Sequence, residues 1–117
     1  MSDISRLGDY LHQMAEAARD AQNFTEGMDC DAFLVDLRTQ RAVIMSLMIV
    51  GEAATRLIAE HPGFTETHSN IAWRSIRGMR NRIAHGYFDL DLHIVWQTIQ
   101  TELPGLVKQL EGIQADR

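Results

Sequence analysis

Apolar residues recur along most of the chain at steps of three and four positions. In the first segment this stripe contains Leu7, Leu11, Met14, Ala18 and Ala21. Such spacing places the apolar side chains on one face of a helix that packs against a core. No segment shows the strict alternation of apolar and polar residues that is typical of a half-buried strand. The pattern therefore predicts an all-α protein.

A second helix is predicted between Asp29 and His61. Asp29 can accept a free backbone N–H at the start of this helix, and Pro62 disfavours helical geometry in the residue before it. Its length of about 30 residues is well above the mean of roughly 11–12 for globular proteins. We therefore expect a bend near Asp36–Gln40, a partner subunit that covers the excess surface, or both.

The region after Pro62 predicts a polar loop and then a third helix. The loop covers Pro62–Asn70, and Ser69 or Asn70 can cap the helix that follows. That helix contains Trp73 and ends at Gly86, since glycine is a common stop signal.

The end of the chain predicts one or two further helices. Asp89 or Asp91 can cap the fourth helix, and Pro104 either kinks it or lies in the first turn of a fifth. The simplest arrangement is one domain, residues 1–117, in which four or five helices form an up-and-down bundle.

Composition and charge restrict the possible functions. The chain has 117 residues and a net charge of −5, so binding to nucleic acid requires a local basic patch. No stretch approaches the roughly 20 consecutive apolar residues of a membrane helix, and the first residues do not resemble a secretory signal. We expect a cytoplasmic protein. Cys30 is the only cysteine, which excludes an internal disulfide.

One segment combines basic residues with a histidine. Its four arginines are Arg74, Arg77, Arg80 and Arg82, and His85 follows them. Arginine binds phosphate well because its planar fork donates to two oxygens at once. Composition alone favours the simpler interpretation, a solvated basic face.

The spacing around His85 fits phosphoryl chemistry. Asn81 precedes His85 by one helical turn, so its amide could orient the imidazole, and the long side chain of Arg80 could reach the same place. Imidazole titrates near neutrality and can act as general base or acid, while a guanidinium stabilises charge that develops on phosphate. The simpler interpretation is a histidine that caps the carbonyls at a helix end.

The string Arg80-Asn81-Arg-Ile-Ala-His85 resembles the signature of HEPN domains. The extension to Tyr87 is similar to that of the HepT-like ribonuclease toxins within this group, and the resemblance spans nearly the whole chain. The sequence departs from the pattern at Ala72, where proline is expected before Trp73. This difference concerns the start of the helix rather than the site.

The resemblance implies a HEPN bundle that dimerises and brings two Arg–His sets into one cleft. It also implies RNA cleavage without a metal or other cofactor, by attack of the 2′-hydroxyl on the adjacent phosphate. His85 would then transfer protons, Arg80 would hold the scissile phosphate, and Asn81 would position one of them. We add Arg77 and Arg82 as candidates for binding the RNA backbone.

Tyr87 has two interpretations. The resemblance implies a type VII toxin–antitoxin system, in which an MntA-like minimal nucleotidyltransferase antitoxin adenylylates this tyrosine. The structural alternative is a partly buried aromatic residue whose hydroxyl finds a hydrogen bond.

Two acidic features remain. Glu52 lies in an apolar stretch, where a carboxylate is costly unless it is paired, so a salt bridge to Arg77 or Arg80 is one hypothesis and a solvent-facing position is the other. Asp89, Asp91 and His93 are ligand-type residues, but capping explains the aspartates better than a metal site does.

Two other functions fit the same residues. The chain could be a non-catalytic helical subunit that presents a nucleotide or another substrate to a nucleotidyltransferase. It could also be a purely structural helical dimer, which the Arg–Asn–His–Tyr string makes the weakest hypothesis.

Overall fold

Helices occupy most of residues 3–115, the part of the chain that the computed structural model describes. The α-helices are α1 Asp3–Phe24, α2 Cys30–Leu34, α3 Leu37–Glu60, α4 Pro62–Thr67, α5 Trp73–Gly86, α6 Leu92–Gln97 and α7 Leu103–Ala115. A 3₁₀ turn, Tyr87–Asp89, follows α5, and a π-helical turn, Thr98–Glu102, joins α6 to α7. These residues contain no strand, which confirms the all-α prediction. Residues 1, 2, 116 and 117 of the predicted domain lie outside the description.

The central element is α3, which packs against both α1 and α5, while α1 also contacts α7. The predicted stripe of α1 is buried in the core from Leu11 onward, and Leu7 is half-buried. Leu11 and Met14 are fully buried in one core with Phe33, Val43 and Leu57. Burial of each such side chain stabilises the fold by about 1.5–3 kcal/mol. The predicted bundle corresponds to four long helical segments, which are α1, α3, α5 and the continuous segment α6–α7.

The predicted long second helix is divided into α2 and α3. Asp29 caps α2 as expected, because its carboxylate accepts the backbone N–H of Ala32 at 2.9 Å. Asp36 caps α3 in the same way and accepts both the backbone N–H and the hydroxyl of Thr39. A side chain that satisfies the first turn of a helix also favours non-helical geometry at its own position. The expected bend near Asp36 is therefore a break between two helices.

Two predictions for the following segment are wrong. The region predicted as a loop begins with α4, because Pro62 occupies the first helical position, where its missing N–H costs no hydrogen bond. Neither Ser69 nor Asn70 caps α5. Its N-cap is Ala72, which provides no side-chain hydrogen bond, and the indole N–H of Trp73 donates to the carbonyl of His68 at 3.0 Å instead.

Pro104 lies in the first turn of α7, as one of the two predicted alternatives stated. The preceding π-helical turn connects α7 to α6 without a loop. Proline cannot donate the hydrogen bond of a regular helix and its ring collides with the carbonyl four residues earlier. The wider turn accommodates this irregularity, and Asp91 caps the start of α6 by accepting the backbone N–H of His93.

Within residues 3–115, one helix has the length and composition of a membrane span. This is α3, whose most apolar window of 18 residues has a mean hydropathy of 1.7, and half of that window is buried inside the protein. Such burial is typical of the central helix of a bundle, since the core requires apolar residues around much of its circumference.

Candidate active site at the end of α5

The arginine-rich segment and His85 lie on α5. Arg74 and Arg82 are exposed, Arg77 is half-buried, and His85 is exposed in the last turn of the helix. The side chain of Arg80 is 28% exposed. Both Arg80 and His85 therefore reach the surface, as a site for a polymeric substrate requires.

Arg80 is positioned by a close crossing of α5 over α3. A Cβ added at Gly51 would lie 2.2 Å from the Cβ of Arg80 and 3.2 Å from its Cα. Real Cβ atoms do not approach one another this closely, because the contact lies far inside the van der Waals distance. Only glycine at position 51 therefore allows the backbone of Arg80 to lie where it does.

The guanidinium of Arg80 is held by two neighbours. Its Nη2 donates to Oε1 of Glu52 at 2.9 Å, and its Nη1 donates to Oδ1 of Asn81 at 2.8 Å. Its Nε is buried and has no hydrogen-bond partner among the described residues. The salt bridge predicted for Glu52 is confirmed with Arg80 rather than with Arg77. These bonds fix the plane of the fork while hydrogens on both terminal nitrogens remain to bind a phosphate.

Glu52 belongs to a larger network on the surface of α3. Its Oε2 accepts from Arg56 at 3.1 Å, and Arg56 also lies 3.5 Å from a carboxylate oxygen of Glu60, which accepts from the hydroxyl of Tyr10. Partial burial opposes the ionisation of Glu52, but the hydrogen bonds from Arg56 and Arg80 outweigh it and hold the pKa of its carboxyl below the ordinary value of 4.5. Glu52 is therefore a charged anchor for Arg80 at neutral pH.

Asn81 contacts Arg80 and makes no hydrogen bond to His85. The expectation that its amide orients the imidazole by helical spacing is not met, because its Oδ1 accepts from the neighbouring guanidinium. His85 forms no hydrogen bond with the described residues and lines a cavity together with Asn81 and Arg82. The structure thus leaves both ring nitrogens of His85 accessible to a substrate.

Two aromatic side chains follow His85. Tyr87 is 42% exposed and Phe88 is 99% exposed, and their rings meet edge to face with centroids 5.9 Å apart. The hydroxyl of Tyr87 makes no hydrogen bond within the described residues, in contrast to the interpretation of a partly buried, bonded tyrosine. No functional role was predicted for Phe88 from the sequence. A fully exposed aromatic residue can stack on an unpaired base.

The candidate metal ligands do not form a site. No group of three histidine, cysteine, aspartate or glutamate residues among the described positions could hold a metal ion. Asp91 is occupied as the cap of α6, and Nδ1 of His93 lies 3.9 Å from the sulfur of Cys30.

Comparisons with known proteins identify a family that this sequence matches. The model of the ribonuclease HepT-like family matches residues 14–113, a range that includes every residue of the site. A protein of Thermococcus cleftensis named "Probable ribonuclease HepT" is 35% identical over 91% of this chain and 94% of its own length. No solved structure is significantly similar to the chain.

Two further relatives carry the word RNase in their names. A "Putative RNase" of Caldanaerobacter subterraneus is 36% identical over 89% of this chain and 90% of its own length. Another, from Methanocaldococcus jannaschii, is 32% identical over 92% of this chain and 86% of its own length. The similarity in each case spans nearly complete chains.

Proposed function

The chain belongs to the HepT-like ribonuclease family, and from this membership and the geometry of α5 we propose that it is a metal-independent RNA endonuclease. The observation that carries the proposal is that the last two turns of α5 contain both the fixed guanidinium of Arg80 and the exposed imidazole of His85, which no described residue engages. Arg77 and Arg82 would bind neighbouring phosphates of the RNA backbone, which supplies much of the affinity for nucleic acid.

The proposed reaction is an internal displacement at phosphorus. The 2′-hydroxyl of the RNA attacks the adjacent phosphorus and loses its proton to a base, while the bond to the 5′-oxygen breaks and that oxygen takes up a proton. The products are a 2′,3′-cyclic phosphate and a 5′-hydroxyl. His85 serves in proton transfer. Arg80 stabilises the charge that grows on the phosphate oxygens, and Asn81 supports Arg80 through its amide oxygen.

A homodimer would supply a second histidine to the same cleft. One imidazole cannot easily serve the attacking and the leaving oxygen at once, whereas two-fold symmetry provides a second group. Support comes from α3, where Met45 is 61% exposed and Ile49, one turn further, is 40% exposed. Glu52 follows on the same side of the helix, so this apolar surface adjoins the anchor of Arg80. Coverage of exposed apolar side chains is a common reason for subunit association.

We further propose that the protein is the toxin of a type VII toxin–antitoxin system in the cytoplasm. A minimal nucleotidyltransferase antitoxin would transfer an adenylyl group to the hydroxyl of Tyr87, releasing pyrophosphate from ATP. The exposure of Tyr87 and the freedom of its hydroxyl support this step. The added phosphate and nucleoside would occupy the site beside Arg80 and His85 and exclude RNA.

Cleavage by the purified chain tests the catalytic proposal. Wild-type protein, His85→Ala and the matched control His12→Ala, which alters an exposed histidine of α1, are incubated with RNA in the presence of a chelator. We expect fragments with cyclic-phosphate ends from wild type and His12→Ala, and a loss of at least about 100-fold for His85→Ala, since general acid–base catalysis contributes roughly 10²–10⁴-fold.

If the RNA stays intact with all three proteins, the nuclease proposal is wrong and a subunit that only binds nucleotides becomes the better interpretation.

Co-expression with a nucleotidyltransferase tests the regulatory proposal. The mass of the peptide that contains Tyr87 should increase by one adenylyl group, and unmodified peptide from inactivated protein would exclude this mechanism.

A further inference from the structure

A cavity of about 520 Å³ lies between the last turns of α5 and the beginning of α6. Its walls are mainly apolar and include Met79, Leu90, Ile94 and Val95. His85 borders the same cavity, so a group bound inside it lies next to the proposed catalytic imidazole. The volume falls within the range of roughly 300–1,000 Å³ that is typical of small-molecule sites.

The polar groups of the cavity differ in what they can still bind. Asp91 is engaged with the backbone N–H of His93, but Asp89 makes no hydrogen bond or ion pair with any described residue. The Oδ1 of Asn81 is occupied by Arg80, so the N–H groups of its amide remain available. The guanidinium of Arg82 also lines the cavity. The cavity therefore offers an unengaged carboxylate as acceptor, and an amide and a guanidinium as donors, beside apolar walls.

We propose that this cavity binds the nucleobase that flanks the scissile phosphate, and that Asp89 makes it select guanine. The inference rests on the proposed ribonuclease function. The apolar walls of the cavity can pack against the flat face of a base. Proteins recognise unpaired bases mainly through hydrogen bonds to the edges of the ring. The cavity lies next to His85. This position is required for a base whose own ribose carries the reacting hydroxyl.

The donor and acceptor pattern of guanine fits these groups best. Its ring N1–H and its amino group are adjacent donors that one carboxylate can accept together, and its O6 accepts from an amide. Uracil presents one N–H between two carbonyl oxygens, so it offers the carboxylate of Asp89 one donor instead of two adjacent ones. Adenine and cytosine place an unprotonated ring nitrogen beside the amino group, and this nitrogen would face the negative charge of Asp89.

Binding of uncleavable RNA tests the inference separately from catalysis. The probe is a fluorescein-labelled 2′-O-methyl hexauridylate with guanine, adenine or cytosine at one central position, since the methyl group removes the attacking hydroxyl. We expect wild type to bind the guanine oligonucleotide about five- to tenfold more tightly than the adenine one, near the lower end of the discrimination that a paired base contact provides.

Asp89→Asn should reduce this ratio to about one or reverse it, because an amide offers one donor and one acceptor and so pairs with adenine. Asp20→Asn, which alters an exposed aspartate of α1, is the matched control and should keep the preference. Titration with guanosine 3′-monophosphate should shift the methyl NMR signal of Met79 but not that of Met14, which lies in the core.

Equal affinities for the three oligonucleotides, or a preference that survives Asp89→Asn, would overturn the guanine assignment. A Met79 signal that does not respond to the nucleotide would overturn the cavity as its site. If wild type cuts RNA without regard to guanine, the nuclease stands and this inference fails. If it cuts no RNA, the proposed nuclease function fails. The ratio of affinities for the guanine and adenine oligonucleotides then still decides whether the cavity selects guanine.

Discussion

Replacement of Gly51 by alanine tests whether the close crossing of α3 and α5 positions Arg80. The new methyl carbon would lie 2.2 Å from the Cβ of Arg80, 2.9 Å from its Cγ and 3.2 Å from its Cα. Rotation of the Arg80 side chain cannot relieve contacts with its Cβ and Cα. The two helices must therefore move apart, and the guanidinium must leave the position in which Glu52 and Asn81 hold it.

The expected change in the free energy of unfolding of Gly51→Ala is the sum of two opposing contributions. Alanine in a helix interior is about 0.5–1 kcal/mol more favourable than glycine. Overpacking of a buried contact costs about 1–3 kcal/mol, and the backbone contact here favours the upper half of that range. We expect a net loss of about 1–2.5 kcal/mol in the free energy of unfolding, or roughly 4–10 °C in Tm. The loss of kcat/KM should be larger, about 100-fold, because misplacement of a catalytic group by about 1 Å has this effect.

Urea denaturation and RNA cleavage measure the two effects on the same preparations. Gly112→Ala is the matched control, since Gly112 also lies within a helix and a Cβ there would meet no atom within 4 Å. This variant should gain stability by about 0.5–1 kcal/mol and keep its activity. If Gly51→Ala were as stable and as active as Gly112→Ala, the close crossing would not position Arg80.

Two further predictions concern Glu52 and Phe88. Glu52→Gln should lower kcat/KM by about 10- to 100-fold, because Arg80 loses its charged anchor, whereas Thr67→Ala on the exposed surface of α4 should not. Since the native pKa of Glu52 lies below 4.5, its contribution to stability is complete above that pH and disappears as the pH falls through the native pKa. The difference in Tm between wild type and Glu52→Gln should therefore vanish in acid, and a constant difference would contradict the ion pair. Phe88→Ala should weaken binding of single-stranded RNA by about fivefold or more with Tm unchanged, and unchanged affinity would exclude stacking.

The helix signals that were predicted correctly are local ones. Asp29 was expected to cap a helix and does so with its own carboxylate. A bend was expected near Asp36, and the chain breaks there into α2 and α3 because Asp36 caps a helix of its own, which was not predicted. Pro62 was interpreted as a helix stop, but the same residue also suits the first position of a new helix, and the sequence alone does not distinguish the two. Ala72 has no capping side chain, and the contact at the start of α5 is the bond from the indole of Trp73 to the carbonyl of His68, which no capping rule predicts.

The site was predictable in part for the same reason. A carboxylate within an apolar stretch is costly unless it is paired, which led to the hypothesis of a salt bridge from Glu52 to Arg77 or Arg80 but did not decide between the two arginines or exclude a solvent-facing position. The contact of Asn81 was not predictable from helical spacing, because the long side chain of Arg80 folds back to its sequence neighbour. The cavity beside Asp89 depends on how α6 packs after the 3₁₀ turn, and no periodicity of the sequence determines that angle.

The contact between Gly51 and Arg80 links the chemistry of the chain to the completion of its folding. A nascent or proteolytically nicked chain whose α5 has separated from α3 retains the peptide that carries His85 but not the fixed orientation of its arginine. In the proposed mechanism, an active site therefore exists only in molecules whose α5 is packed against α3.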